Sequence, residues 1–243
     1  MKIWRFLQPG AIGFTLMTAG QALADKLKGA PVRPLQAADY VEQHAVQGDP
    51  QSVLHTLDRF AREERWLMSV GPEKGPLLHE LASRLPSDAR LLELGSYCGY
   101  SAILMATLFG PRAQITSIEI DERMVQSSRR NIALAGLDHQ IRVLHGPSSE
   151  VLATLAGVYH LVLLDHWKDL YKRDLMLIEE RGLIAPQSIV AADNVGELFA
   201  PEEFLNYVRG SGKYDCEHRP ASVEYTDIPD AVEICVYLGS GDA

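Results

Sequence analysis

The sequence predicts a single α/β domain built on a doubly wound, mostly parallel sheet, and three observations predict it. From residue 90 onward, short apolar runs of strand length alternate with amphipathic segments of helix length, the pattern of successive βαβ units. Two of those runs, Leu161-Val162-Leu163-Leu164 and Ser188-Ile189-Val190-Ala191-Ala192, end on polar groups, Asp165 and Asp193-Asn194. Buried parallel strands end this way where their carboxyl ends meet a ligand crevice. A turn bounded by Gly95 and Gly99 joins another run to the helix after it, leaving free N–H groups at the helix start.

Residues 1–34 read as leader and linker, and 35–243 as one folded domain long enough to bury a full core. In the leader, Lys2 and Arg5 precede an uncharged run over 8–24 that closes on Ala22-Leu23-Ala24-Asp25. A basic start, a modest apolar centre and a small-x-small ending imitate a secretory signal peptide. Pro9, Gly10 and Gly13 interrupt the run, which makes it a poor spanning helix. A cleaved signal, a weak anchor and a surface-lying leader all stay open.

Pro31 to Pro34 reads as the linker. Helices are expected over 35–46 and 50–66, the second with Pro50 in its first turn and Val53, Leu54, Leu57 and Phe60 on one face. Gly71 and Pro72 break the pattern before a helix over 77–85. The alternation then runs strand 91–94, helix 100–108, strand 115–120, helix 122–135 stopped by Gly136, and strand 141–145. It continues with helix 149–155, strand 160–164, helix 174–181, strand 189–192 and helix 202–208. Segments 214–219 and 232–238 have no helix between them and read as a final antiparallel hairpin.

The net charge of −9 and the lack of a basic stripe exclude nucleic acid as a partner, because polyanion binding draws on clustered Lys and Arg. Cys98, Cys216 and Cys235 are odd in number and lack metal-type spacing. That predicts a reduced, intracellular protein without a disulfide framework.

Two carboxylates and an amide oxygen at neighbouring strand ends, Asp165, Asp193 and Asn194, form a hard-oxygen donor set suited to Mg²⁺. Lys168 stands close in sequence as a candidate base. The spacing Gly95-x-x-x-Gly99 departs from the Gly-x-Gly-x-x-Gly of dinucleotide sites, which weakens a pyrophosphate reading. Glu119, ending the next strand, can accept hydrogen bonds from ribose hydroxyls. Turn and acid together point to a nucleoside ligand without a diphosphate, such as S-adenosylmethionine. Each residue taken alone has a plainer reading. Asp165 could cap a helix, Asp193-Asn194 could form a turn, and Lys168 could be a solvated charge. Glu119 could end its strand in solvent; Trp66 and Trp167 could be core, His166 and Cys98 packed residues. The joint occurrence of ligands and base at successive strand ends, beside a nucleoside turn, favours the functional reading.

The segments Glu-Leu-Gly-Ser-Tyr-Cys-Gly-Tyr-Ser (93–101), Leu-Asp-His-Trp-Lys-Asp (164–169) and Ala-Asp-Asn-Val (192–195) resemble those of the catechol O-methyltransferases. Gly-Asp-Pro-Gln-Ser-Val-Leu (48–54), Val-Arg-Gly-Ser (208–211) and Glu224-Tyr225 extend the resemblance from about Tyr40 to the C-terminus. It implies that Asp165, Asp193 and Asn194 hold Mg²⁺, that Lys168 is the base, and that Asn194 and Glu224 grip the catechol hydroxyls. It places S-adenosylmethionine on Val70, Glu93, Gly95, Tyr97, Ser101, Glu119, Ser148 and Asp165, with Met68 and His166 near the sulfonium and adenine. Trp66 and Trp167 would wall the catechol ring.

Three departures from the family pattern stand out. Pro147 and Ser148 replace the usual Ala and Gln near the adenine. The loop 196–201 is longer and lacks a gatekeeping Pro, which puts Leu198 or Phe199 near the mouth. Ser69 replaces Asn, and Pro72 follows Gly71. The expected activity is methyl transfer to one hydroxyl of a small-molecule catechol, by a monomer with a cytoplasmic active site, where the methyl donor is made. Membrane contact is expected only through the leader. The altered mouth motivates an alternative acceptor such as a caffeoyl-type thioester. A non-catalytic methyltransferase-like binding protein would be expected to lose the metal ligands, and this chain keeps them.

Overall fold

In the computed structural model, which describes residues 9–27 and 29–239, seven strands form one sheet in the order β3-β2-β1-β4-β5-β7-β6. The parallel strands are β1 (Arg90–Leu94), β2 (Gln114–Glu119), β3 (Ile141–His145), β4 (Leu161–Leu164) and β5 (Ile189–Ala192). The expected hairpin is present as β6 (Tyr214–Ser222) and β7 (Pro229–Tyr237), with β7 antiparallel to both β5 and β6.

Helices α2 (Arg33–His44), α3 (Pro50–Glu63), α4 (Gly71–Ser83), α5 (Tyr100–Phe109) and α6 (Glu122–Leu134) precede the crossover to the second half. Successive strand residues face opposite ways, so one sheet yields two cores. Leu91, Ile115, Leu161, Leu163 and Ala191 pack with Val53, Leu57, Ile103 and Ile132 on one side. Leu92, Leu94, Val162, Leu164 and Ala192 pack on the other with α7 (Ser148–Thr154), α8 (Tyr171–Glu180) and α9 (Glu202–Gly210), through Leu152, Leu175, Ile178 and Phe204.

Helices α2 and α4 start earlier than the sequence suggests, because proline in a first turn opens a helix as readily as it breaks one. Helix α2 begins at Arg33, with Pro34 in its first turn. Helix α4 begins at Gly71 with Pro72 next to it, and accommodates Pro76 further on. Helix α3 is capped by Asp49, whose carboxylate accepts from the N–H groups of Gln51 and Ser52, and ends at Glu63. Trp66 therefore lies on a connection, not on the helix.

The leader is helical over Pro9–Leu27 (α1) and touches the domain at named points. Phe14 sets its ring edge-on to Trp66 at 4.7 Å. Arg65 donates to Asp25 at 3.2 Å, and Arg33 donates to the Thr18 carbonyl at 2.8 Å. Among the described residues no helix is long and apolar enough to cross a membrane. Lys2 and Arg5, the basic start of the signal-like pattern, lie outside the described residues.

The cysteine expectation is corrected. Cys216 and Cys235 face each other in register on β6 and β7, with Cα atoms 4.0 Å apart, and form a disulfide. Their sequence separation of 19 gave no hint of this, because only the hairpin register brings them together. Cys98 is free and fully buried, and burial pushes its thiol up to about 12, so its place near a helix start does not activate it.

Candidate active site

Strand order reverses between β1 and β4, and their carboxyl ends open the main crevice, as expected at a topological switch point. Gly95, at the end of β1, has φ 103°. A Cβ there would stand 2.4 Å from the Asp165 carbonyl oxygen, so only glycine lets the two strand ends meet backbone to backbone. The crevice above them has a volume of about 810 Å³. Gly95, Tyr97, Glu119, Ser148, Asp165, His166, Trp167, Lys168, Met68 and Trp66 all line it.

Glu119 is fixed by three backbone donors. Its Oε2 accepts from the Tyr97 N–H at 3.0 Å, and its Oε1 from the N–H groups of Ile120 and Asp121 at 2.8 and 3.0 Å. A carboxylate so oriented, facing an apolar slot beside a glycine turn, suits a ribose.

Glu93, Ser101 and Val70 stand behind the crevice wall. Glu93 is fully buried and accepts from the hydroxyls of Ser101 and Ser117. Burial pushes its carboxyl up to about 7, against those two hydrogen bonds.

Ser148 and His166 Nε2 both bond Asp174 Oδ2, at 2.6 and 2.7 Å. Because Ser148 bonds the acid and not the imidazole, this is no hydrolytic triad. Burial would raise Asp174, but the hydrogen bonds from His166, Ser148 and Arg173 prevail and hold it below the usual carboxylate range. Burial lowers the His166 pKa, and its Nδ1 has no partner.

At the neighbouring strand ends, Asp165 follows β4 and Asp193-Asn194 follows β5, with Leu164 and Ala192 in register. Lys168 donates to Asp165 Oδ1 at 3.1 Å. Burial pushes Asp165 up to about 6; Lys168 opposes this and the Asp193 charge adds to it. Asn194 holds a left-handed φ of 52° and gives its Nδ2 to Asp230 at 2.7 Å. Its Oδ1 is buried without a partner. Two carboxylates and an orphaned amide oxygen at neighbouring strand ends are the donor types a hard divalent cation takes.

Glu224 approaches from the segment between β6 and β7. Its Oε1 accepts from the Lys74 N–H at 3.2 Å, and its buried Oε2 has no partner. Burial pushes this carboxyl up to about 8, Lys74 opposing. Gly71 makes room for it, since a Cβ there would lie 2.3 Å from Oε2. Trp66 Nε1 donates to the Glu224 carbonyl at 2.9 Å and is buried against Leu198, Phe199 and Val223. Trp167 is 60% exposed at the opposite rim. Phe199 lines the mouth, as the altered loop suggests.

Four residues escape a reading of the sequence. Lys74 is 2% exposed and bonds Asp193 at 2.6 Å and Asp230 at 2.9 Å. It sits between glycines and prolines and looks like a solvated turn cation. Asp230 is a single acid whose side-chain partners Asn194 and Lys74 lie 36 and 156 residues away, and Asp174 a single acid inside a helix pattern. Phe14 belongs to a leader that carries no signal of docking.

The chain is similar to known O-methyltransferases. Residues 42–202 match the O-methyltransferase family model. A catechol O-methyltransferase from Bos taurus is 40% identical over 210 residues, spanning 84% of this chain and 76% of its own. A transmembrane O-methyltransferase from Homo sapiens is 35% identical, spanning 91% of this chain and 77% of its own. The O-methyltransferase TomG from Streptomyces achromogenes, solved in complex with SAM, shares the fold with a TM-score of 0.66 at 23% identity, over 77% of this chain and 90% of that one. The chain thus belongs to the O-methyltransferase family, alongside the catechol O-methyltransferases.

Proposed function

We propose that this O-methyltransferase moves the methyl group of S-adenosylmethionine to one hydroxyl of a catechol, with Lys168 as base and a divalent cation, Mg²⁺, held by Asp165, Asp193 and Asn194. The observation that carries the reading is that Asp165 and Lys168, paired at a crevice that fits a nucleoside, stand one strand over from Asp193 and Asn194, with Asn194 Oδ1 and Glu224 Oε2 both buried and unpartnered.

A bound divalent ion would supply charge stabilisation to an oxyanion formed from a weakly acidic hydroxyl. The chain's own groups do the rest. Lys168 Nζ, tethered to Asp165, would accept the phenolic proton as the neutral amine, since the ammonium has no lone pair to take it. Glu224 takes a donor at Oε1 and keeps a buried, unpartnered Oε2, which would hydrogen-bond the second hydroxyl and fix the ring. Trp66, pinned by its own N–H, and Trp167 bound the ring plane. Leu198 and Phe199 help keep water from the mouth, which favours a step in which sulfonium and oxyanion neutralise each other. Glu119 and the turn at Gly95 hold the nucleoside, so transfer becomes a matter of positioning.

Phe199 at the mouth also supports a second acceptor class, a bulkier vicinal diol such as a caffeoyl thioester. Helix α1 is read as part of the folded enzyme, and any membrane contact would use its outer stripe of Ile12, Leu16, Leu23 and Leu27.

The test is Lys168→Ala, assayed with labelled S-adenosylmethionine on simple catechols and on caffeoyl thioesters. Turnover should vanish while S-adenosylmethionine still binds; wild-type rates in the variant would remove Lys168 from its role. The better of the two acceptors identifies the class.

A further inference from the structure

Behind the two ligands on β5 lies a buried acid that the proposed chemistry does not use. Asp230, near the start of β7, is 5% exposed and receives three donors. Asn194 Nδ2 reaches its Oδ2 at 2.7 Å, Lys74 Nζ the same oxygen at 2.9 Å, and the Gly196 N–H its Oδ1 at 3.1 Å. Lys74 bonds Asp193 as well, at 2.6 Å, and through its backbone N–H it also holds Glu224. A buried ammonium is costly unless paired. Lys74 has that pairing on two sides, from Asp193 and from Asp230.

The consequence for Asn194 is directional. An amide presents either its oxygen or its NH₂ group to a given side. With a carboxylate behind it, the NH₂ must turn toward Asp230, because the reverse setting would press the amide oxygen against a negative charge. The oxygen then faces the corner that Asp165 and Asp193 share. The N–H contact to Gly196 ties down the residues just after Asn194, whose own backbone is left-handed.

We propose that Asp230, braced by Lys74, is a positioning residue for the metal corner: it fixes the amide of Asn194 with its oxygen outward and joins that ligand to Asp193 through one shared ammonium. This rests on the divalent-cation reading above. Partners of this kind behind metal ligands typically govern affinity by about 10–100-fold.

The experiment measures Mn²⁺ binding by electron paramagnetic resonance and S-adenosylmethionine binding by calorimetry, on full-length wild type, Asp230→Ala and the double variant Lys74→Met/Asp230→Leu. The double variant removes both buried charges together, so no unpaired ammonium threatens folding. Mn²⁺ affinity should fall about 10–100-fold in both variants, with S-adenosylmethionine affinity unchanged. Wild-type Mn²⁺ affinity in a variant that still binds S-adenosylmethionine would overturn the role of Asp230 and leave the cation reading standing. Loss of both affinities together in both variants would also overturn it, by reducing Asp230 to a structural part. A wild-type protein that binds no Mn²⁺ would take down the cation reading and this inference with it.

Discussion

Replacing Gly95 by Ala puts a methyl group into space that the next strand's backbone already fills. The added carbon would lie 2.4 Å from the Asp165 carbonyl oxygen, 2.8 Å from its carbon and 3.0 Å from the His166 nitrogen. The first contact is about 1 Å inside ordinary van der Waals distance. All three atoms are backbone, so no side chain can swing aside; β1 and β4 must part at their carboxyl ends. The segment forced to move carries Asp165, and Lys168 follows on the same turn. Misplacement of reacting groups by about 1 Å typically costs about 100-fold in rate, or about 2.7 kcal/mol of barrier.

The strained φ of 103° adds a separate stability loss of about 1–2 kcal/mol, which lowers Tm by roughly 2–8 °C. Gly110→Ala separates the two effects, because Gly110 has φ 83° and nothing within 4 Å of its would-be Cβ. Calorimetric Tm and kcat/KM should therefore be measured on both variants. Both should lose stability, and only Gly95→Ala should lose about two orders of magnitude in kcat/KM. Equal activity in the two variants would refute the argument from close approach.

Other outcomes follow from the same geometry. Glu119→Ala removes an oriented carboxylate whose charge-assisted hydrogen bonds are worth about 1.5–3 kcal/mol, so the Kd for S-adenosylmethionine should rise about 10–100-fold; an unchanged Kd would exclude a ribose role. Phe14→Ala deletes an edge-on aromatic pair worth about 0.5–1.5 kcal/mol that supports Trp66, and should raise the acceptor KM roughly 2–10-fold with S-adenosylmethionine affinity constant. An unmoved acceptor KM would separate α1 from the pocket. Thiol titration of unreduced protein should find one reactive cysteine after unfolding, Cys98, and three after reduction; three before reduction would deny the Cys216–Cys235 bond.

The parts of the site legible in the sequence are those announced by local pattern. Asp165 and Asp193-Asn194 end apolar runs buried on both faces, so pleat and burial alone placed them at neighbouring strand tips. Gly95 and Glu119 stood at the ends of successive strands for the same reason. What stayed hidden depends on long-range pairing. Lys74 meets acids 119 and 156 residues away, and Asp174 receives Ser148 from 26 residues back in the chain. Helix α4 was obscured because Gly71 and Pro72 read as a break, whereas proline in that place begins the helix that carries Lys74. The disulfide depended on a hairpin register, and the docking of Phe14 on a surface no local pattern describes.

The central claim is that a divalent ion at Asp165, Asp193 and Asn194 makes the acceptor hydroxyl reactive. The most direct measurement is methyl transfer to a catechol by chelator-treated enzyme, before and after Mg²⁺ is restored. The account predicts turnover lost on chelation and regained on adding Mg²⁺. Full turnover in the metal-stripped enzyme would contradict it.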